Sequence, residues 1–427
     1  MIYHLRAFWH WVGARCRGYP RAAIACMAIA VFMAFMALLP EFWAQNQSTD
    51  YTSHYRPVAM RILNGDGITT ASGAVAVRYP PLYPTLLAGE YALGAWLGLP
   101  EEVLARAFAA LVAAAGAILV FSIAGAVYGE RVAWFSALLW LTYPFNLWLL
   151  KQPNSEQPFV LVFLGVVLLM VRALSARRVG VVPPFMIGIL IGVSSLFRPT
   201  TIVFSLACSL VVLCWQSDWT LYERVRFIAC LLLGNALTVL PWELFVFGQT
   251  GIVLPLSSGG VAGIVDGLTI VRRAGAHALT PSDQSSVAGF MRDVLARSAE
   301  FESARDIFHF VWLRFLQTPM TIVQVVLLKA GRSWFATDAQ WREREIALIQ
   351  LPYLLLAMRG LMVAAQKGTS RQFIALSLVS VSYFWGMTIM VLSILRYMVP
   401  VMALLLIFGG VAVDALFPRS RVRHPSG

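Results

Sequence analysis

Long apolar runs separated by short polar stretches dominate the chain. Each of ten runs is near the ~20 residues that a helix needs to cross ~30 Å of hydrocarbon, so each predicts a membrane-spanning helix. The predicted spans are 22–40, 103–127, 132–150, 157–174, 181–197, 200–216, 226–247, 346–365, 372–391 and 395–415. The pattern therefore predicts an all-α polytopic membrane protein.

Two further segments are apolar but interrupted. Segment 80–98 carries prolines and Glu90, and segment 319–335 carries Lys329 and Arg332. Because basic loops tend to stay in the cytoplasm, charge decides their orientation. The basic stretches predicted to be cytoplasmic are 171–180, 222–226, 366–371 and 419–423. We therefore expect 80–98 to stay on the outer side and 319–335 not to cross fully. This yields ten crossings, and eleven or twelve stay open.

The same orientation puts two long polar segments, 41–102 and 248–345, outside the membrane. Neither is predicted to form a separate soluble domain, so the chain is read as one membrane-embedded domain over 1–427. Its parts are a core over 22–247 that includes the first outer loop, the second outer segment, and C-terminal helices over 346–415. No repeat of fixed period appears in the sequence, which weakens a transporter built from inverted repeats.

Composition and charge agree with a membrane location. Apolar residues make up 59% of the chain and charged residues only 13%, which excludes an ordinary soluble domain. Lys and Arg number 33 against 21 for Asp and Glu, and the positive-inside rule explains this excess without nucleic acid. Arg15 and Arg17 precede the first span and predict an uncleaved signal anchor with a cytoplasmic N-terminus. No Walker loop, HExxH or CxxC motif supports nucleotide or zinc chemistry.

Ionisable residues are concentrated just beyond the first span. Asp50 stands at its outer end and His54 follows four residues later. Tyr55, Val58 and Ile62 have the spacing of one apolar helical face, which predicts a short amphipathic helix. One interpretation makes Asp50 the cap of that helix, since Asp is a common N-cap. The alternative is a functional carboxylate at the membrane surface.

Five motifs, in register over residues 22–400, carry a resemblance to a known family. They are the acidic loop at Asp50 with "RYPPLYPTLLA" (78–88), "KQPNSEQPF" (151–159), "GVSSLFRPT" (192–200), "LPWELFVFGQTGIVLPLSSGG" (240–260) and "ILRYMVP" (394–400). The pattern resembles the GT-C glycosyltransferases, polytopic enzymes that use lipid-phosphate-linked sugars. It is most similar to their protein-mannosyltransferase-like bacterial branch. In two departures from the family, Glu243 and Leu244 follow the Pro-Trp pair, and Asp50 has no acidic neighbour.

The resemblance implies a GT-C-like fold and a glycosyltransferase activity. A sugar would move from a polyprenyl-phosphate-linked donor to a lipid, polysaccharide or protein acceptor of the cell envelope. The reaction would take place on the extracytoplasmic face of a bacterial inner membrane, among membrane lipids and without nucleic acid. No cofactor is expected, because a lone carboxylate is a poor site for a hard cation.

The chemistry of such a transfer, together with the predicted positions of the residues at the outer membrane surface, suggests roles for individual residues. Asp50 is the predicted base, and Glu156 shares that role or orients the acceptor. Arg198 and Arg396 are expected to grip the donor phosphate, since guanidinium groups match phosphate oxygens bidentately. Further predicted donor phosphate-binding residues are Tyr79, His54 and Lys329. For each cation the alternative is plain interfacial anchoring, and for Tyr79 it is support of a turn.

Two other function classes compete with the enzyme. A transporter or flippase of a lipid-linked sugar would carry ionisable groups near mid-membrane on broken helices. A non-catalytic scaffold of an envelope-synthesis complex would tolerate loss of Asp50. The clustering of charges at one interface favours the enzyme.

Overall fold

The computed structural model describes residues 18–38, 50–269, 285–337, 342–368 and 370–417, and these residues form a helical protein. Arg15 and Arg17 of the predicted signal anchor lie outside the described residues, as does the stretch 419–423 that is predicted to be cytoplasmic. The helices are α1 Pro20–Leu38, α2 Arg56–Leu63, α3 Leu82–Leu97, α4 Glu101–Tyr128, α5 Glu130–Leu141, α6 Pro144–Leu150, α7 Glu156–Leu174, α8 Val182–Phe197, α9 Phe204–Trp215, α10 Leu221–Thr250, α11 Gly260–Leu268, α12 Ser286–Ala296, α13 Ala304–Gln317, α14 Pro319–Arg332, α15 Glu343–Gln366, α16 Arg371–Met390 and α17 Val399–Leu416.

Each of the ten predicted spans corresponds to one of these helices or to a pair of them, so the all-α polytopic fold class is confirmed. Within the described residues, seven helices are long and apolar enough to cross a membrane: α1, α4, α7, α10, α15, α16 and α17. The pair α5 and α6 is bent by 58° and adds an eighth crossing if it acts as one span. The remaining two predicted spans correspond to α8 and α9, which are shorter apolar helices. Helix length alone therefore supports seven or eight crossings. The ten crossings expected from the sequence are reached only if the short helices α8 and α9 also cross.

The two interrupted segments form helices that do not qualify as spans. α3 has 16 residues and α14 has 14, and neither is among the candidate spans of the described chain. At about 1.5 Å per residue such helices cover roughly 20–24 Å, which is short of the ~30 Å hydrocarbon core. α8, a predicted span, has the same 16 residues as α3, so length alone does not decide the point. That 80–98 stays on the outer side and that 319–335 does not cross fully stay predictions.

Two glycines allow α8 and α10 to pack closely against each other. A Cβ atom added at Gly188 of α8 would overlap the carbonyl oxygen of Leu231 in α10, and one at Gly234 would overlap that of Phe185. Small residues let two helix backbones approach this closely inside a membrane. α8 is therefore held firmly against α10, and the end of α8 presents Arg198.

The second outer segment has a small core of its own. Helices α11 to α14 bury one apolar cluster between them: Ile264, Val265, Leu268, Phe290, Val294, Ile307, Phe310, Ile322 and Val325. This cluster is distinct from the large core of the membrane helices. The division of the chain into a core, a second outer segment and C-terminal helices stays a prediction.

Candidate active site

Asp50 lies where a single π-helical turn, Tyr51–Tyr55, begins. Its backbone is already helical, with φ −65° and ψ −39°, and its side chain makes no capping hydrogen bond. Instead, Oδ1 accepts a hydrogen bond from the Tyr79 hydroxyl at 2.8 Å, and Oδ2 lies 3.6 Å from Nη2 of Arg396. The simple capping interpretation is therefore not supported by the geometry of the carboxylate.

Arg396 connects Asp50 to a second carboxylate. Its Nε lies 3.5 Å from Oε1 of Glu156, and Nη1 of Arg198 lies 2.5 Å from the same oxygen. The four side chains Asp50, Arg396, Glu156 and Arg198 form a row of alternating charge, which we call the charged cluster. The Asp50 side chain is 30% exposed, whereas that of Glu156 is only 5% exposed. One carboxylate thus faces outward and the other is enclosed by the arginines.

The side chains of the charged cluster lie at the ends of helices or in short turns between them. Pro199 follows Arg198 directly, and Arg198 leaves the helix with an extended backbone at φ −148°. Arg396 belongs to a short 3₁₀ turn that ends before Pro400 opens α17. A proline disfavours helical backbone in the residue directly before it, which explains why Arg198 leaves the helical path. Glu156 is the first residue of α7.

An aromatic ring lies against both arginines. The guanidinium carbon of Arg198 is 4.8 Å from the centroid of the Tyr397 ring, and that of Arg396 is 5.2 Å from it. A cation within about 6 Å of an aromatic face is attracted to the ring. Tyr397 therefore helps keep two like charges side by side. The sequence motif contains this tyrosine, but only the tertiary contact reveals its role.

A second group of polar contacts surrounds Ser155. Nη1 of Arg198 donates to Oγ of Ser155 at 3.2 Å, and the Tyr55 hydroxyl lies 3.3 Å from the same oxygen. Tyr55 is buried, and its ring packs 4.9 Å from that of Tyr79 and 4.8 Å from that of Tyr83. This aromatic group joins the Asp50 side of the cluster to the Arg198 side. Sequence reasoning missed Ser155 and Tyr55 as site residues.

The protonation states of Asp50 and Tyr79 differ as a base and a donor require. Partial burial raises the pKa of Asp50, but Arg396, the Tyr79 hydroxyl and Arg198 together bring it below its usual value. Burial, reinforced by the neighbouring Asp50 carboxylate, raises the pKa of Tyr79 to about 12. At neutral pH the carboxylate is ionised and the phenol keeps its proton.

His54 lies beside this pair without joining the ion pairs of the cluster. Its ring meets that of Tyr79 edge-on, with centroids 5.5 Å apart. Burial and the nearby Arg78 lower the pKa of His54, against the opposing effect of Asp50. The imidazole is therefore predominantly neutral at pH 7 and contributes no positive charge for a phosphate.

Lys329 is the predicted site residue whose hydrogen bond in the described structure goes to a backbone group and not to the charged cluster. It is 2% exposed, and its Nζ donates to the carbonyl oxygen of Val391 at 3.2 Å. Desolvation lowers its pKa to about 7. The sequence put Lys329 among the phosphate ligands, but its ammonium points to the backbone of the segment that leads to Arg396. The reason is the orientation of α14, which turns Lys329 inward.

No group of three or more His, Cys, Asp or Glu side chains that could hold a metal ion occurs in the part of the chain that the structure describes. Between the two acids of the charged cluster lies the guanidinium of Arg396. The arrangement suits an anion that the arginines can bind. It also suits a hydroxyl group that donates a hydrogen bond to the outward-facing carboxylate of Asp50.

Comparison with known proteins gives this geometry a context. Residues 79–242 match the family model described as dolichyl-phosphate-mannose-protein mannosyltransferase. That stretch includes Tyr79, Glu156 and Arg198, and it excludes Asp50 and Arg396. No curated protein sequence matches the chain.

Two sets of solved structures share the fold. Oligosaccharyltransferase AglB from Archaeoglobus fulgidus, in complex with an inhibitory peptide and a dolichol-phosphate, matches at 13% identity with a TM-score of 0.54, covering 94% of this chain and 51% of that one. The same enzyme tethered to an acceptor peptide matches at 12% identity and TM-score 0.57, covering 95% and 50%. ArnT from Cupriavidus metallidurans bound to undecaprenyl phosphate matches at 18% identity and TM-score 0.51, covering 93% and 61%.

These matches confirm the resemblance inferred from the sequence. The chain is a polytopic membrane protein with the fold of the GT-C glycosyltransferase superfamily. It spans about half the length of the AglB chains and 61% of the ArnT chain.

Proposed function

We propose that the protein is a membrane glycosyltransferase that moves a sugar from a polyprenyl-phosphate-linked donor to a cell-envelope acceptor. The observation that carries the proposal is the charged cluster, in which two arginines flank a partly exposed carboxylate. The matched AglB and ArnT structures hold a dolichol-phosphate and an undecaprenyl phosphate, which supports a donor of this class.

Arg198 and Arg396 are the proposed ligands of the donor phosphate. Each guanidinium has five N–H donors, so a group that already pairs with a carboxylate keeps N–H groups for a second anion. Glu156 and Tyr397 hold the two guanidiniums side by side. Arginines fixed in advance stabilise the charge that develops on the leaving phosphate, because they need little reorganisation during the reaction.

Asp50 is the proposed general base. The acceptor oxygen forms a bond to the anomeric carbon as Asp50 takes its proton. The bond from that carbon to the phosphate oxygen breaks, and its electron pair leaves with the polyprenyl phosphate. One such displacement inverts the anomeric centre. The Tyr79 hydroxyl, at 2.8 Å, orients the carboxylate without removing its negative charge.

Glu156 is better suited to positioning than to proton transfer. Its side chain is 5% exposed and one oxygen lies near both arginines. A carboxylate in this position would have to leave two cations to reach an acceptor, which is costly in a buried site. The earlier expectation that Glu156 shares the base role therefore gives way to a role in holding Arg198 and Arg396.

The reaction is proposed to take place on the extracytoplasmic face of a bacterial inner membrane. The distribution of basic loops supports this orientation, and a lipid, a polysaccharide or a protein could supply the acceptor hydroxyl. A transporter or flippase is less well supported. Within the described residues, one pair of helices, α5 and α6, would form a single long span but for a bend. It breaks at Thr142 and Tyr143, where the Tyr143 hydroxyl donates to Gln350 and no charged residue stands at the break.

The test is a mass measurement of product. Purified protein in lipid nanodiscs is incubated with a synthetic polyprenyl-phosphate sugar and an envelope extract, and the released polyprenyl phosphate and glycosylated acceptor are identified. We expect product with the parent protein and with Asp66→Asn, a control in the same outer loop whose carboxylate pairs with Arg61 at 3.5 Å. We expect far less with Asp50→Asn. Equal product from both variants would overturn the assignment of Asp50. Movement of intact donor across the bilayer without transfer would favour a flippase.

A further inference from the structure

Two helices of the second outer segment expose an apolar stripe. On α13 the stripe is Phe308, Trp312 and Leu316, and on α14 it is Met320, Val323 and Leu327. Their spacings, i, i+4, i+8 and i, i+3, i+7, put each set on one helical face. The opposite faces are buried in the small core through Phe310 and Val325, among others. Each of these helices therefore has two apolar faces. One is packed in the small core, and the other is exposed.

The depth of α14 relative to the membrane can be read from its contacts with α16, a candidate span. The indole Nε1 of Trp385 donates to the carbonyl oxygen of Ala330 at 3.0 Å, and the rings of Trp334 and Trp385 lie 5.9 Å apart. Trp385 lies five residues before the end of α16, which is roughly 7–8 Å along the helix axis. The end of α14 thus lies below the outer end of a spanning helix, at the depth where tryptophan is enriched in membranes.

Neither helix is a candidate span by length and composition. Each has 14 residues, and neither qualifies as a span. Large contiguous apolar patches on a surface mark an interaction site. A helix with one apolar face at the membrane boundary buries that face about 5–10 Å into the headgroup and acyl region.

We propose that the stripe of α13 and α14 docks into the outer leaflet of the membrane, with phospholipid as its partner. The stripe is continuous with a surface that already faces lipid, because α14 packs against α16, whose Leu378 and Met390 are exposed along the span. Arg305 lies one turn before Phe308 and is exposed, so its charge complements lipid phosphate at the edge of the stripe. A second copy of the chain would not need this match to membrane depth.

The docked helix is also attached to the charged cluster. Lys329, on the face of α14 opposite Leu327, donates to Val391, and the Leu395 amide donates to the Ala336 carbonyl at 2.9 Å. These bonds hold the backbone of the segment that carries Arg396. Docking of α14 into the leaflet would therefore determine how deep Arg396 lies relative to the membrane surface. That consequence rests on the proposed function, but the docking itself does not.

The test uses spin labels in the full chain. The five cysteines are replaced by alanine, and single labels are introduced by Leu316→Cys and Met320→Cys, positions that are 62% and 67% exposed. Leu378→Cys on the span α16 is the lipid reference, and Glu302→Cys before α13 is the water reference. Collision rates with oxygen, which dissolves in lipid, and with a water-soluble nickel chelate are measured in nanodiscs of phosphatidylethanolamine and phosphatidylglycerol.

We expect oxygen-to-nickel ratios at 316 and 320 close to that at 378 and several-fold above that at 302. Ratios equal to that at 302 would overturn the proposal, since the stripe would then face water. Low collision rates with both reagents would also overturn it and indicate that protein covers the stripe. If the cysteine-free protein does not fold, hydroxyl-radical oxidation of the unaltered protein gives the same decision. Met320 should then be oxidised as slowly as the lipid-facing Met33 of α1, and fast oxidation would contradict docking.

Discussion

Two buried cations of this protein show how the surroundings determine what a charge can do. Arg198 is 13% exposed and lies 2.5 Å from the carboxylate of Glu156. Lys329 is 2% exposed, and its Nζ donates a hydrogen bond to the Val391 carbonyl oxygen. A buried charge is costly unless it is paired, and otherwise the group shifts its pKa and becomes neutral. Arg198 stays charged and suits anion binding, whereas desolvation lowers the pKa of Lys329 to about 7.

The two regions also differ in how the chain builds them. The charged cluster collects residues from four distant places, at 50, 156, 198 and 396, so it exists only in the folded protein. Lys329 instead donates a hydrogen bond to the backbone carbonyl of Val391, and such a bond can join two segments of the chain without selecting a ligand. We therefore assign chemistry to the first region and positioning to the second.

The largest expected effect comes from Asp50→Asn. The amide keeps the size of the side chain and a hydrogen bond to Tyr79, but it cannot accept a proton from an acceptor. Loss of a general base typically costs about 10²–10⁴ in rate. We expect turnover of the donor to fall by that factor in a steady-state assay, with donor binding retained. A variant that turns over like the parent would remove Asp50 from the mechanism.

The second-largest effect is expected from Glu156→Gln. This change removes the carboxylate that pairs with Arg198 and leaves that cation, like Lys329, without a paired carboxylate in the cluster. Breaking a buried pair leaves an uncompensated charge and costs about 3–5 kcal/mol of stability. The control is Glu101→Gln, since Glu101 pairs with Arg56 at 3.1 Å but is 43% exposed. An exposed pair contributes at most about 1 kcal/mol.

Denaturation of both variants in a lipid-like detergent measures the difference. We expect Glu156→Gln to unfold at clearly lower denaturant than Glu101→Gln. If the two unfold together while Glu156→Gln alone loses turnover, Glu156 acts as a base and not as a positioning residue.

A smaller effect is expected from Lys329→Met, and it should depend on pH. The folded-state pKa of Lys329, about 7, lies below its usual 10.5, so between these values the unfolded chain binds a proton that the folded chain lacks. The stability that this lysine contributes is thus greatest above 10.5 and is lost as pH falls toward 7, with a slope of at most about 1.4 kcal/mol per pH unit.

The melting temperatures of parent and Lys329→Met are compared at pH 7 and pH 9.5. We expect the melting temperature of the parent to rise relative to that of the variant at the higher pH. The exposed Lys367→Met serves as the control and should show a constant difference. A pH-independent difference for Lys329→Met would mean that the ammonium finds a compensating charge.

The smallest effect is expected from Tyr79→Phe, which removes one hydrogen bond to Asp50. The bond favours the carboxylate, so its loss raises the pKa of Asp50. We expect a change of only a few-fold at pH 7, where Asp50 stays ionised. The acid limb of the pH–rate profile for kcat/KM should move to higher pH. If the acid limb does not move, Tyr79 does not influence the ionisation of the catalytic base.

Much of the fold could be predicted from the sequence, because a run of about 20 apolar residues has few solutions in a membrane. The ten runs became helices, and prolines and charges correctly flagged 80–98 and 319–335 as exceptions. The bend between α5 and α6 was not expected, although Pro144 opens α6 and ends the preceding run of helix.

The site could be predicted only in part. Asp50, Glu156, Arg198 and Arg396 were singled out because they are charged residues at the ends of apolar runs, and the structure brings all four together. Ser155, Tyr55 and Tyr397 were missed because their roles depend on tertiary contacts that the sequence does not display. Lys329 was placed with the phosphate ligands because a sequence does not tell which face of an outer helix is turned inward.

The most direct test of the central claim, that the charged cluster binds the donor phosphate, is native mass spectrometry with a polyprenyl phosphate. Parent, Arg198→Ala and Arg198→Lys are compared with Arg131→Ala, which breaks an Arg–Asp pair with Asp414 at 2.9 Å, away from the charged cluster. Losing hydrogen bonds to a charged group costs about 1.5–3 kcal/mol, or roughly 10- to 100-fold in Kd. We predict that loss for Arg198→Ala, an intermediate affinity for Arg198→Lys because the charge remains without the planar fork, and parental affinity for Arg131→Ala. Equal affinity in all four proteins would contradict the claim and leave Arg198 as an anchor for its helix.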